Sequence, residues 1–246
     1  MTFTHVIWDW NGTLLDDRAL CVDIMNGLLA PRGLPPIGDE FYQAIIEFPV
    51  QLYYERLGFD FTKEPFEAIS DQYIAAYQAG WRRLGLQEGT METLAALRAL
   101  GIGQSILSAS KVAHLHEQVD HFGLMPLMQR VTGVDDHHGR GKAHRAAEHL
   151  AALPPHGGAL GIPAQSTVLV GDTLHDAEVA RACGIGCILV SFGHYNHVRL
   201  QSAGMPVADS MSEIIAMLTS KSFYRQCFAS NKMCGEHDEC ENPKHI

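Results

Sequence analysis

Four short apolar runs recur along the chain, His5–Trp8, Gln104–Leu107, Thr167–Val170 and Cys187–Val190, with Ala-rich helical stretches such as Lys142–Ala152 and Asp176–Ala182 between them. Runs this short, without polar alternation, read as strands buried on both faces. Strands that alternate with helices predict an α/β fold, a Rossmann-like parallel sheet with helices on both sides. Ligands of such sheets bind at the carboxyl ends of the strands. Asp9, Ser108 and Asp172 all fall at such ends.

Residues 18–88 interrupt the alternation. Amphipathic stretches run through Ala19–Leu29, Asp39–Ile46, Val50–Leu57 and Pro65–Tyr77, broken by PRGLPP and by Gly58 and Gly80. We expect an inserted all-helical cap here, with the catalytic core formed by residues 1–17 and 89–220. Leu153–Gln165 reads as a Pro/Gly-rich connection. Residues 221–246 show little apolar periodicity and read as a flexible C-terminal extension. They carry Cys227, Cys234, Cys240, His237 and His245, but the Cys spacing is not that of a standard zinc pair.

The net charge of −10 argues against nucleic acid or an anionic membrane as a partner. No apolar run approaches the roughly 20 residues of a membrane span. The first residues lack a basic segment followed by a long apolar one, and Cys183 and Cys187 read as small core residues, so we expect a cytoplasmic, reduced protein. The expected partner is a small phosphorylated metabolite; the sequence is silent on oligomeric state.

The chemistry concentrates in VIWDWNGTLLDD, residues 6–17, and VLVGDTLHDAEVA, residues 168–180. Asp9 ends the first strand. Asp172 ends another, and Asp176 lies four residues on, one turn into a helix. Acidic strand ends on one sheet edge suggest a hard cation such as Mg²⁺, which prefers oxygen ligands and a substrate phosphate. Ser108 offers a hydroxyl and the next N–H, with Ser110 as a competitor. Lys142 opens a helix and offers a cation, with Lys111 as a competitor.

In this order the segments DWNGT, SILS, Lys142 and GDTLHD resemble the motifs of the haloacid dehalogenase superfamily, chiefly its phosphatases. The resemblance spans roughly residues 4–218. The helical insertion sits where the first type of cap sits in phosphoglycolate phosphatase-like members. The resemblance implies that Asp9 is a nucleophile forming an aspartyl-phosphate. It implies Mg²⁺ held by Asp9, the backbone carbonyl of Asn11, and Asp172, with Asp176 orienting the metal's water or Lys142. It also implies that Ser108, Lys142 and N–H groups around Trp10, Gly12, Thr13 and Ala109 bind the phosphoryl oxygens.

Asn11 departs from the family pattern, which has a second Asp as general acid and base at that position. An amide donates a hydrogen bond but neither delivers nor accepts a proton at neutral pH. The expected consequences are a substitute base (His175, His194 or Asp16), a preference for good leaving groups, or a protein that traps phosphoryl without hydrolysis. Dehalogenase chemistry would not need Asp172 and Asp176 as metal ligands. Phosphonatase chemistry would want a cap lysine, and the cap has only Lys63. In the cap, Phe48, Gln51, Tyr54 and Arg56 are candidate substrate contacts. Asn11→Asp is expected to raise turnover if the missing acid/base is the defect.

Overall fold

The computed structural model describes residues 3–134, 142–153, 162–220, 222–224 and 227, and for residues 142–144 the backbone alone. Eight strands are present among them: β1 His5–Trp8, β2 Leu15–Asp16, β3 Gly85–Leu86, β4 Gly103–Lys111, β5 Val131–Val134, β6 Thr167–Gly171, β7 Gly186–Val190 and β8 Val207–Ala208. The helices are α1 Arg18–Leu29, α2 Asp39–Ile45, α3 Val50–Arg56, α4 Phe66–Gly80, α5 Thr90–Ala99, α6 Val112–His121, α7 Lys142–Ala151, α8 Leu174–Cys183, α9 His197–Gln201 and α10 Met211–Thr219.

Six strands form one parallel sheet in the order β5-β4-β1-β6-β7-β8. The chain leaves β1 toward β4 on one side and returns to β6 on the other. The carboxyl end of β1 is therefore the switch point where such sheets open a crevice. Side-chain alternation sorts the core into two layers. Ile7, Leu107, Leu169 and Leu189 pack toward Ala146 of α7 and Ala177 and Ala180 of α8. Val6, Trp8, Ile106, Val168, Val170 and Ile188 pack toward Leu94 of α5, Leu115 of α6 and Ile214 of α10.

The first apolar run becomes β1 without change, and β6 and β7 each gain one residue. β4 runs four residues further than the apolar pattern, through Ser-Ala-Ser-Lys, with an irregular register against β5 between Leu107 and Lys111. The ladder to β5 carries this polar stretch, which periodicity alone does not mark.

The helical insertion is tied at its base. β2 and β3 pair antiparallel where the chain enters and leaves it, Leu15 opposite Leu86 and Asp16 opposite Gly85. Helices α1–α4 fill the interval, close to the four amphipathic stretches, and share one apolar cluster with the sheet through Met25, Leu29, Tyr42, Tyr53 and Ile69. Tyr54 is buried in that cluster. Arg56 pairs with Glu47 at 3.0 Å. No helix among the described residues is long and apolar enough to cross a membrane.

The extension does not begin as a loose tail. Phe223 and Cys227 are buried in the second core layer, and the rings of Phe223 and Tyr224 lie tilted at 6.2 and 5.2 Å from the ring of Phe3. The Cys227 thiol faces the Cys187 carbonyl, and burial pushes it up to about 12. This corrects the expected start of a flexible segment at 221. Cys234, His237, Cys240 and His245 lie outside the described residues, as do residues 154–161 of the Pro/Gly-rich connection.

A second polar feature ties α7 to the sheet. His149 Nε2 and His5 Nε2 each lie 2.7 Å from Ser105 Oγ, and His149 Nδ1 lies 2.7 Å from Thr132 Oγ1. Burial pushes His149 down to about 3, helped by the charge of His5 and Arg130. A histidine depressed in the fold stabilises above its unfolded value near 6.5 and loses that stability as pH falls toward 3.

Two predictions follow from this packing. Phe223→Ala should cost about 3 kcal/mol in denaturant unfolding, the usual range for a buried Phe, and removal of everything after Lys221 should cost at least as much; an unchanged midpoint would return the segment to a loose tail. Between pH 7.5 and pH 5 wild type should lose about 2 kcal/mol through His149, and His149→Gln should flatten that slope whatever its own stability at neutral pH.

Candidate active site

Asp9, Asp172 and Asp176 converge at the switch point, from the end of β1, the residue after β6 and the first turn of α8. One carboxylate oxygen of each lies within 4.8 Å of the others, and all three residues are buried. Asp172 accepts from the His194 N–H at 2.6 Å and from Thr13 Oγ1 at 3.2 Å. Asp176 forms a capping box with Thr173, accepting its N–H at 3.1 Å and its hydroxyl at 2.7 Å. That cap fixes the side chain's rotamer and aims its carboxylate at the strand ends.

Two glycines let backbone press against these groups. A Cβ on Gly12 (φ +73°) or on Gly193 would collide with the Asp172 carboxylate. Burial pushes the Asp172 carboxyl up to about 6, and the charges of Asp176 and Asp17 add to that against the pull of His194. Three convergent buried carboxylates repel one another, and a small hard cation relieves this with the oxygen donors it prefers. The residues present therefore fit Mg²⁺.

Asn11 is held on every polar atom. Its Nδ2 donates to Asp17 Oδ2 and to Tyr77 Oη, both at 2.7 Å, and its Oδ1 accepts from Ser110 Oγ at 2.7 Å. Both amide hydrogens are engaged. Both donors therefore face the cap.

The partner is Asp17, which sequence reasoning missed in favour of its neighbour. Asp16 lies on the β2–β3 ribbon and is exposed, whereas Asp17 is 1% exposed. Asp17 stands at the N-cap of α1 but makes no capping bond. Its carboxylate instead accepts from the Gly12 N–H at 2.9 Å, from Asn11, and from Tyr77 Oη at 2.7 Å, and it pairs with His194 Nε2 at 3.2 Å. Burial alone would raise the Asp17 carboxyl; the His194 charge and hydrogen bond, with those of Asn11 and Tyr77, outweigh it and hold it below its ordinary range. Burial likewise works against charge on His194, but the Asp17 charge and hydrogen bond, with Asp172 and Asp9, raise it to about 9.

The remaining expectations sort by position. Ser108 is buried at the end of the apolar part of β4, where its Oγ accepts from the Ser110 N–H at 3.1 Å. Ala109 is exposed beside it. The Gly12 N–H donates to Asp17 and the Thr13 hydroxyl to Asp172. The Trp10 indole is buried and donates to Gln118 at 2.8 Å, so only its backbone borders the site. Lys142 opens α7, but its side chain lies outside the described residues. His175 pairs with Glu178 at 3.2 Å and neighbours the exposed Phe48 ring at 6.5 Å. Of the three expected substitutes for the missing base, His194 alone stands in the site.

The cap grips the core through the loop after β7. Arg18 donates to the carbonyls of Phe192 and Gly193 at 2.8 and 2.9 Å, and Gln43 to that of Gly193 at 2.9 Å. Tyr42 Oη lies 2.9 Å from His194 Nδ1.

Residues 6–190 match the model of the haloacid dehalogenase-like hydrolases, and the chain belongs to that family. Its curated relatives include the tyrosine-protein kinase PtkA of Mycobacterium tuberculosis, 29% identical over 191 residues, which are 77% of this chain and 62% of the relative. A phosphoglycolate phosphatase of Caulobacter vibrioides is 27% identical over 77% of this chain and 79% of its own length. Among solved structures, PtkA superposes with a TM-score of 0.73 at 26% identity, covering 89% of this chain and 99% of the solved one. A phosphatase from Clostridium acetobutylicum gives 0.71 at 18% identity, covering 87% and 97%, a likeness of fold. The chain thus spans just over three-fifths of the full length of the first of these relatives.

Asp172→Asn tests the cation site. A carboxyl raised in the fold costs stability as pH climbs through its folded value, so the neutral amide should stabilise the Mg²⁺-free protein at pH 7. Added Mg²⁺ should raise the melting temperature of wild type and leave that of the variant unmoved. An equal rise in both would remove Asp172 from the cation site.

Proposed function

We propose that the chain is a Mg²⁺-dependent phosphomonoester hydrolase that acts on a small phosphorylated metabolite through Asp9. The observation that carries this reading is the convergence of Asp9, Asp172 and Asp176 at the switch point of the sheet. Asp9, Asp172 and the Asn11 carbonyl would hold Mg²⁺, with Asp176 beside them. When bound, the ion supplies the positive charge that lets an anionic phosphoryl group approach anionic carboxylates.

The rest is done by side chains. The Asp9 carboxylate attacks phosphorus in line, a P–O bond forms to Asp9, and the bond to the departing alkoxide breaks. Ser108 and Lys142 would hold the equatorial oxygens. Water then cleaves the acyl phosphate and returns Asp9 as a carboxylate. Asn11, with both amide hydrogens given to Asp17 and Tyr77, moves no proton in either half-reaction. General acid–base help is worth about 10²–10⁴-fold, so turnover of alkyl phosphates is slow and good leaving groups are favoured. The metabolite phosphatases among the relatives support a small substrate.

The same saturated amide favours a second reading, in which phosphoryl persists on Asp9 or passes to a protein acceptor. The similarity to a protein named as a tyrosine kinase supports it.

A phosphate-release screen across phosphorylated metabolites, with and without Mg²⁺, should show activity that Asp9→Asn abolishes while the fold survives. Undiminished release by that variant, or none from wild type on any substrate, would end the hydrolase reading. The contacts of Asn11 also change what its carboxylate variant should do. Asn11→Asp alone would set two carboxylates 2.7 Å apart against Asp17, so it should gain little and lose stability. Asn11→Asp combined with Asp17→Asn restores one donor and one acceptor, and should raise turnover of alkyl phosphates by about 10-fold or more over wild type. Equal rates for the double variant and wild type would show that proton transfer does not limit.

A further inference from the structure

Beside the three-carboxylate site lies a second set of ligating side chains of different chemistry. Asp17, Cys21 and His194 each present one ligand atom, and these atoms lie within 4.8 Å of one another. They come from three places: the N-cap of α1, the first turn of α1, and the loop after β7. Asp17 and Cys21 are four residues apart, which puts them on one face of the helix. We propose that Asp17, Cys21 and His194 form a binding site for a thiophilic divalent cation of the Zn²⁺ class, separate from the Mg²⁺ ligands Asp9 and Asp172.

The distances lie within a few tenths of an ångström of those such an ion imposes, measured to the two oxygens of Asp17. Tetrahedral zinc, with Zn–S near 2.3 Å and Zn–N or Zn–O of about 2.0–2.2 Å, spaces its ligands roughly 3.3–3.6 Å apart. Here His194 Nε2 lies 3.2 Å from Asp17 Oδ1, and Cys21 Sγ lies 3.9 Å from Asp17 Oδ2. The cation takes the place of the protons between these pairs: the Cys21 thiol proton and the proton on His194 Nε2 pass to solvent as the sulfur–metal and nitrogen–metal bonds form. Tyr42 Oη contacts His194 Nδ1 at 2.9 Å, the outer contact that fixes a ligating imidazole and turns its other nitrogen to a metal. Asn11, Tyr77 and the Gly12 N–H donate to the Asp17 carboxylate and orient it in the same way. The fourth position falls to water or a substrate oxygen.

The donor set separates the two sites. Asp9, Asp172 and Asp176 offer oxygen alone and suit Mg²⁺; thiolate and imidazole select softer ions. A cation here ties α1 of the cap to the loop after β7 and draws on the carboxylate that holds Asn11. It would inhibit hydrolysis, a consequence that rests on the reading of the first site as a phosphatase centre; the binding itself does not.

The test is titration of the full chain with Co²⁺ as a spectroscopic stand-in for zinc, in excess Mg²⁺. Wild type should take up one equivalent with a thiolate-to-cobalt charge-transfer band. Cys21→Ser and Cys21→Ala, each first shown to melt cooperatively, should lose that equivalent or bind it at least tenfold more weakly, as should His194→Gln. A band that persists in both Cys21 variants, or no thiolate band in wild type, would overturn the proposal. If wild type releases phosphate, Zn²⁺ should inhibit it, and the Cys21→Ser enzyme should require at least tenfold more Zn²⁺; equal sensitivity would overturn the inhibitory consequence and leave the binding result to stand on its own.

Discussion

One carboxylate that does not cap its own helix organises the site. Asp17 begins α1, where an N-cap acid normally accepts the first free N–H groups of the helix, yet it makes no such bond. It faces the loop after β1 and binds Gly12, Asn11, Tyr77 and His194. Those contacts join the first strand, the last cap helix and the loop after β7. Buried hydrogen bonds to a charged group are among the stronger ones, about 1.5–3 kcal/mol each, and breaking such a network leaves a buried charge unpaired. The register of cap against core and the orientation of Asn11 therefore depend on the same side chain.

This arrangement gives the substitution of an amide for an acid at position 11 a physical meaning. An acid there would sit against Asp17 and repel it. The amide donates to it, and the second hydrogen and the carbonyl find Tyr77 and Ser110. These contacts fix the Asn11 side chain in the loop that follows Asp9, and in the proposed hydrolase it would move no proton. The carboxylates of Asp9, Asp172 and Asp176 converge beside this loop with Asn11 at position 11.

The sheet was legible where burial is two-sided. His5–Trp8, Thr167–Val170 and Cys187–Val190 are apolar because both of their faces are covered, and each became a strand. Val131–Val134 was not legible, because it is short, contains Gly133, and is made a strand by its partner β4. Asp9 and Asp172 were marked by their place at strand ends, and Asp176 by its position one turn into the helix that follows. Asp17 was not, although it adjoins Asp16. The distinction depends on the two-residue period of the β2–β3 ribbon, which turns Asp16 outward, and on long-range partners such as Tyr77 and His194. Phe223 escaped notice for the same reason, since its partner Phe3 lies at the other end of the chain.

The central claim is that phosphoryl passes through Asp9 and leaves slowly. Rapid quenching during turnover with Mg²⁺, followed by borohydride reduction, converts an aspartyl-phosphate to homoserine, and peptide mass analysis locates it. The account predicts homoserine at position 9 in wild type, in amounts that rise as the leaving group improves. Phosphate found on a tyrosine or another side chain, with residue 9 unchanged during turnover, would contradict it.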